Sequence, residues 1–568
     1  MKLYKTGYSS FFLAYAKNSK RLLPDFVKME FEKIAEGQSW IFCADNFKGL
    51  PVDIGYRHEN GDGVYLRIEK GAEYISFETD EMSGIPVFWL KVDGKTIIAS
   101  SLDLLINLSQ KLDIKLKLDL QAGAEFLIAG YVFTYPKTLI KDVFLLSPDN
   151  KLSFDIISGE VKTERIGDLP SYSTNRLPKD SAPRLFREAL ENGFKRHKGK
   201  KIALLLSGGG SSRILASCGI AAGLDIDFFT FGQSTVNDSD FSIANKVAYG
   251  LGAKTKCFST SGSNFLLNWK KNAAYANWTN DSVWWSGRIP DELFDTIKNY
   301  DLLIRGDGDG CYGWGGNLCS IDDILHRFEI TPPAVVWRYK KFFTEPDTVL
   351  IQAISSRQRL VKKYESLTED LVELKNILYR DVRECHGASP GVWYFSQRLP
   401  VDAPFLWHDS LKIAFSVPSK QLIVRWLIFA ALELDEKIKK IPFSGSGSWN
   451  NRLEFYFTGV WEELIAYIER WSPFGINGQE FRKEFLCPPE VPKLPSLTKQ
   501  IVSMLKKKVF SSKYSRKFAF KYFSYLVNSS MSERLLIRLA IISNLCEILN
   551  EKPDTKIINF NSAYERAQ

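Results

Sequence analysis

Leu204-Leu205-Leu206-Ser207-Gly208-Gly209-Gly210-Ser211-Ser212-Arg213 takes an apolar run straight into three glycines and two serines. The run Lys201–Leu206 is continuously hydrophobic, as a parallel strand buried on both faces requires. Helical periodicity begins at once and continues over Ser211–Ala222. Glycine lets the backbone approach a ligand closely. The following helix turns unpaired N–H groups and a positive dipole end toward whatever sits above the loop. Ser207, Ser211 and Ser212 add hydroxyls. The pattern therefore reads as a phosphate cradle, or more plainly as a tight strand-to-helix turn capped by serines. It is not the GxxxxGK[ST] loop, because no lysine follows the glycines.

Further along the chain, strand and helix patterns alternate. Ile226–Phe231 reads as a strand, Asp238–Leu251 as a helix, Lys254–Phe258 as a strand and Asp301–Arg305 as another. Crossover helices between such strands imply a doubly wound parallel sheet. Its ligands belong at the carboxyl ends of the strands. The last of these strands leads into a second glycine-rich stretch, Arg305-Gly306-Asp307-Gly308-Asp309-Gly310-Cys311, which carries two acids. Two such loops in one sheet can face each other across a cleft. Residues 345–440 read as mostly helical, and the last hundred as helical and basic.

Upstream, residues 1–165 are β-rich, with short apolar runs at Ser39–Ala44, Val64–Ile68, Ile75–Glu78, Val87–Val92, Thr96–Ala99 and Lys151–Asp155. Val92-Asp93-Gly94-Lys95 is a hairpin turn, since Asp-Gly tolerates positive φ. A helix is expected over Leu120–Ala129, ending at Gly130. The polar stretch Asp168–Pro183 holds three prolines and reads as a linker.

The 568 residues, with 75 Lys+Arg against 66 Asp+Glu and 45% apolar content, suit a soluble chain of several domains. The eight cysteines include no CxxC pair, and the five histidines form no HExxH. This argues against a structural zinc site and against a disulfide framework. The apolar run Phe11–Ala16 is too short for a signal peptide, and no window is long enough to span a bilayer without a charge, so a cytoplasmic protein is expected. Nine Lys/Arg and no acid lie between Lys493 and Lys521, interleaved with aromatics. That segment is either a solvated basic face or a docking surface for an acidic peptide or an anionic membrane surface. Nucleic acid is not the expected partner, and a homo-oligomer is left open.

Taken together these segments resemble the asparagine synthetase family, whose ATP-pyrophosphatase loop has the form SGGxDS and whose second motif is SGDGxDE or SGEGxDE. Here they stand as SGGGSS (207–212) and RGDGDGC (305–311). Thr230-Phe231-Gly232-Gln233 resembles the end of that family's second strand. Arg398-Leu-Pro-Val-Asp-Ala-Pro404-Phe405-Leu406 resembles its R-x-PFLD segment, with Trp407 in place of the acid, and Ser416-Val417-Pro418 resembles its following S-L-P. Asp80…Gly84-Ile85-Pro86-Val87-Phe88 and the run from Leu118 to Pro148 resemble the family's glutaminase-type domain. The resemblance spans about residues 1–450 and implies this layout: a degenerate N-terminal nucleophile (Ntn) glutaminase-like sandwich over 1–167, a linker over 168–183, an adenine nucleotide alpha hydrolase-like ATP-pyrophosphatase domain over 184–460, and a helical basic extension over 461–568.

The family's glutaminase uses a cysteine directly after the initiator methionine. Position 2 here is Lys2, so glutamine hydrolysis is not expected. Relatives without that cysteine include β-lactam synthetases and lasso-peptide cyclases. The resemblance thus implies a ligase that adenylates a carboxylate of a small molecule or peptide and closes an amide, with ATP and Mg2+. By the same token Ser207, Gly208, Gly209, Gly210, Ser211 and Ser212 would cradle phosphates. Leu206, Phe231 and Gly232 would line the adenine site. Gly306 and Asp307 would face the reacting carboxylate. Lys439 or Lys440, in the run Lys437–Lys440, would stabilise developing negative charge. The family's metal acids fall at Ser211 and Gly310, and its following glutamate at Cys311, which leaves Asp309 as the replacement metal ligand. The alternative is a catalytically degenerate homologue that acts as a binding or scaffold subunit. Trp278, Trp284, Trp285 and Arg288, ahead of the second loop, belong either to the substrate side or to the core.

Overall fold

The computed structural model describes most of residues 11–486 and residues 534–550. The longer stretches outside the description are 1–10, 17–31, 45–49, 58–62, 167–176, 233–239, 282–288, 310–319, 331–336, 384–388, 418–425, 444–459, 487–533 and 551–568. The basic segment Lys493–Lys521, Lys2, Trp284, Trp285, Arg288, Gln233, Gly310, Cys311 and Pro418 therefore lie outside the described residues.

The N-terminal part is two antiparallel sheets stacked face to face. One contains β1 (Phe11–Ala16), β2 (Glu32–Glu36), β3 (Trp40–Ala44), β7 (Phe88–Val92), β8 (Lys95–Ala99) and β9 (Val143–Leu145), in the order β2-β3-β1-β8-β7-β9. The other contains β4 (Val52–Arg57), β5 (Gly63–Lys70), β6 (Tyr74–Thr79), β10 (Asn150–Asp155) and β11 (Val161–Arg165), in the order β11-β10-β6-β5-β4. Aromatic side chains fill the space between them. The Phe11 and Phe77 rings stack at 5.5 Å, and Tyr15 meets Phe154 edge-on at 5.8 Å. Phe11–Ala16 is a wholly buried central strand, which explains its unbroken apolar run. The Asp93-Gly94 turn has positive φ at both residues, 49° and 70°. Helix α1 (Leu102–Lys111) packs on the first sheet. Helix α2 (Leu120–Ala129) ends at Gly130, which has the left-handed φ of 81° of a C-cap.

Helix α3 (Ala182–Phe194) begins inside the Asp168–Pro183 stretch, because Pro183 suits a first helical turn. The parallel sheet follows. It contains β12 (Ile202–Leu205), β13 (Ile226–Gly232), β14 (Thr255–Ser259), β15 (Leu302–Ile304) and β16 (Val401–Asp402), in the order β14-β13-β12-β15-β16. Helices α4 (Gly210–Ala221) and α5 (Asp240–Gly250) make the first two crossovers, and α6 (Gly262–Tyr275) follows β14. The chain is therefore an α/β protein with a five-stranded parallel sheet and an N-terminal antiparallel sandwich. The order reverses at β12, with β13 on one side and β15 on the other, so a crevice opens above their carboxyl ends. Helices Pro346–Glu365, Leu371–Leu378, Ser389–Ser396, His408–Ser416 and Trp426–Leu432 account for the expected helical stretch.

The C-terminal end is not an appended tail where it is described. The helix over 534–549 is buried over most of its length. Its Arg538 donates to the Leu127 carbonyl (3.0 Å) and pairs with Asp281 (2.8 Å). Trp278 is 1% exposed and donates Nε1–H to Asn544 at 3.0 Å, so this tryptophan belongs to the core and not to a substrate wall. Among the described residues no helix is long and apolar enough to cross a membrane.

Candidate functional site

The crevice at the β12 switch point holds a cavity of about 340 Å³. It is lined by Leu205, Leu206, Ser207, Gly209, Ser211, Ser212, Phe229, Thr230, Phe231, Asp240, Arg305, Gly306, Asp307 and Asp309. The two glycine-rich loops thus meet across one space. Gly306 lies against the first loop, where a Cβ would sit 3.4 Å from the Ser211 Cβ, in ordinary van der Waals contact. Gly308 has φ of 84° and turns the second loop beside Leu406, where a side chain would collide.

The first loop is held by its own hydroxyls. The Ser207 amide donates to Ser212 Oγ at 3.0 Å, and the Gly209 amide donates to Ser207 Oγ at 3.2 Å. The Gly208 amide donates to Asp240 Oδ1 at 3.2 Å. Beneath the loop lies Arg213, in the first turn of α4 and 1% exposed. Its guanidinium donates to three backbone carbonyls, those of Gly208 (3.1 Å), Ile441 (2.7 Å) and Pro442 (3.0 Å), and it stacks on Phe443. Burial pulls this guanidinium down to about 10, and it stays cationic at neutral pH.

In the second loop, Arg305 grips Asp307 with Nε (2.5 Å) and Nη2 (3.2 Å), and its guanidinium lies 4.4 Å from the Phe395 ring centroid. Asp309 reaches across the cavity and accepts a hydrogen bond from the Ser211 hydroxyl. A carboxylate from the second loop therefore stands beside position 211, where the first loop has only a serine. The lining carries three carboxylates, Asp240, Asp307 and Asp309, against the single guanidinium of Arg305.

Of the residues singled out from the sequence, Leu206, Ser207, Gly209, Ser211, Ser212, Phe231, Gly306, Asp307 and Asp309 line this cavity. Gly208 contributes through its amide. Gly210 lies behind the loop, where a Cβ would meet the Phe429 ring at 2.9 Å. Gly232 ends β13 in register with Ser259 and is not part of the lining, and Thr230 stands in its place. Neither Lys439 nor Lys440 is among the residues that line the cavity. Lys439 pairs with Glu436, and the carbonyl of Lys437 packs against Gly250 at the far end of α5. Trp407, in place of the expected acid, is buried and donates Nε1–H to Asp402 at 2.9 Å, which also faces His197 at 3.0 Å.

Sequence reasoning missed Asp240. The signal was available, because the first residue of a helix that follows a parallel strand stands at the same sheet edge as the glycine loop.

The donors suit Mg2+ accompanied by phosphate. They are hard oxygens of Asp240, Asp309 and Ser211, next to helix-terminal amides. Among the described residues no three His, Cys, Asp or Glu converge to hold an ion unaided. A cation here would need phosphate oxygens to complete its shell, which is usual for Mg2+.

No protein-family description matches the chain, and no curated protein matches it. Several solved structures are similar in part, among them the following two. The NH3-dependent NAD synthetase from Campylobacter jejuni subsp. jejuni NCTC 11168, in complex with nitrate, is 13% identical over 38% of this chain and 96% of its own, with a TM-score of 0.20. A structure of the allosteric regulatory enzyme of purine biosynthesis is 9% identical over 35% of this chain and 47% of its own, with a TM-score of 0.13. At such scores they identify neither family nor activity.

Proposed function

We propose that this chain binds ATP as its Mg2+ complex in the β12 crevice and uses it to activate a carboxylate for amide formation, without hydrolysing glutamine. The observation that carries this reading is the Ser211–Asp309 contact. It puts a carboxylate beside the amino end of α4, at the position where the resemblance to the asparagine synthetase family requires one. The phosphates would lie on the α4 amides and the serine hydroxyls. The base would stand near Leu206 and Phe231. Mg2+, held by Asp309 and phosphate oxygens, would neutralise the departing pyrophosphate. The substrate carboxylate attacks the α-phosphorus and expels pyrophosphate. An amine then attacks the acyl-adenylate, and AMP leaves. The basic segment Lys493–Lys521 is proposed, on charge alone, to dock an acidic peptide substrate.

The test is calorimetric titration with ATP in Mg2+ and in EDTA, followed by ATP–pyrophosphate exchange with candidate acids. The expected result is Mg2+-dependent binding and acid-dependent exchange. One observation favours the second reading, a nucleotide-binding scaffold: the described lining contains no lysine, and the one guanidinium is committed to Asp307. Binding without exchange across a broad set of acids and peptides would select that reading. Absence of binding in both media would sink both.

A further inference from the structure

We infer that Asp240 makes this cavity select a nucleotide–metal complex over the free nucleotide. The inference rests on the nucleotide reading above and adds a residue to it. Asp240 is the first residue of α5, where the helix dipole favours a carboxylate. It accepts the Gly208 amide at 3.2 Å and lines the same cavity as Ser207 and Gly209. A phosphate-binding loop works by offering such amides to an anion. Here one of them is already given to an anion belonging to the protein.

A free triphosphate entering the crevice meets Asp240 on this amide and Asp309 on the Ser211 hydroxyl. Asp307, already neutralised by Arg305, adds little repulsion. A triphosphate carrying a divalent cation meets the same two carboxylates as attractive groups. Asp240 thus converts from a barrier into a partner when the metal is present. Arg305 is the one cation among the described lining residues, and it pairs with Asp307.

Asp240→Asn tests this, since the amide oxygen can still accept from Gly208 while the charge is gone. Dissociation constants for ATP are measured by calorimetry in excess Mg2+ and in EDTA, for the wild-type full chain, Asp240→Asn and the charge-retaining Asp240→Glu. Thermal unfolding checks that each is folded. The expected result is that Asp240→Asn narrows the Mg2+/EDTA affinity ratio by about tenfold, chiefly through tighter binding of free ATP. Asp240→Glu should keep the wild-type ratio. An unchanged ratio in Asp240→Asn, or a parallel loss in both media, overturns the inference and leaves the nucleotide reading standing. Absence of binding by every protein in both media overturns the two together.

Discussion

Arg213 carries a positive charge into the first turn of α4, where the helix dipole opposes it by about 0.3–1 kcal/mol. Burial opposes it further. Three charge-assisted hydrogen bonds to carbonyls offset these, at a net of about 1.5–3 kcal/mol each. One of those carbonyls belongs to Gly208. Holding it inward fixes the planar peptide that joins Gly208 to Gly209, and so fixes the direction of the Gly209 amide. Arg213 is therefore a positioning residue for the loop. Replacing it with Lys retains charge but offers a point donor that cannot serve three separated acceptors. Arg213→Lys should stay folded, lose about 1–2 kcal/mol in urea unfolding and bind Mg–ATP about tenfold more weakly. Wild-type affinity in Arg213→Lys would show that the loop holds its shape without this clamp. The sequence hid this role. An arginine after SGGGSS looks like a surface cation, and its acceptors at 441 and 442 lie more than two hundred residues away.

At the level of elements, the strands that were legible were those bounded by turn residues: β3, β5 through β8, β10, and β12 through β15 of the parallel sheet. Helix α2 matched its expected limits because an Asp119 cap and a Gly130 C-cap mark both ends. Strands β2 and β11 escaped because their largely polar sequences carry no clear alternation. Their pairing is set by neighbours that local sequence does not reveal. Helix α1 shows a conflict that sequence alone would settle wrongly. Ser101 caps it and Asp103 stands in its first turn, where an acid ordinarily gains from the dipole. Yet Asp103 is 5% exposed, and burial raises its carboxyl to about 6. Because the folded-state value exceeds the unfolded one, the penalty is absent below about pH 4, grows as pH rises through 6, and then levels off. Asp103→Asn should thus leave the urea midpoint unchanged at pH 4 and raise stability by about 2 kcal/mol at pH 8. An equal shift at both pH values would mean that lost packing, and not charge burial, governs the site.

For the whole molecule, the question is what joins the antiparallel sandwich to the α/β part. The crevice residues were legible because they share one sheet edge. The junction was not, because it is built from residues that only the fold brings together. Leu102 donates its amide to Asn277, Tyr131 reaches the Phe328 carbonyl, and Trp393 reaches the Ser83 carbonyl. The helix over 534–549 closes the set. Arg538 bonds the end of α2 through Leu127 and pairs with Asp281, whose amide in turn donates to Gly130. Gly130 is needed twice here. Its φ is left-handed, and a Cβ would fall 2.5 Å from the Asp281 carboxylate. Removing one member of such a pair strands the other, which costs more than the pair contributes. Arg538→Leu should therefore destabilise the chain by about 3 kcal/mol, and Asp281→Leu should cost a comparable amount by leaving the guanidinium stranded. The double variant should lose clearly less than the two single losses combined, because neither charge is then left alone. A double-mutant cycle by urea unfolding, with limited proteolysis as a second readout, decides it. Strict additivity would mean that Arg538 and Asp281 act independently. The C-terminal helix would then be held by its apolar face, with Leu535, Leu539 and Ile542 as the residues to test next.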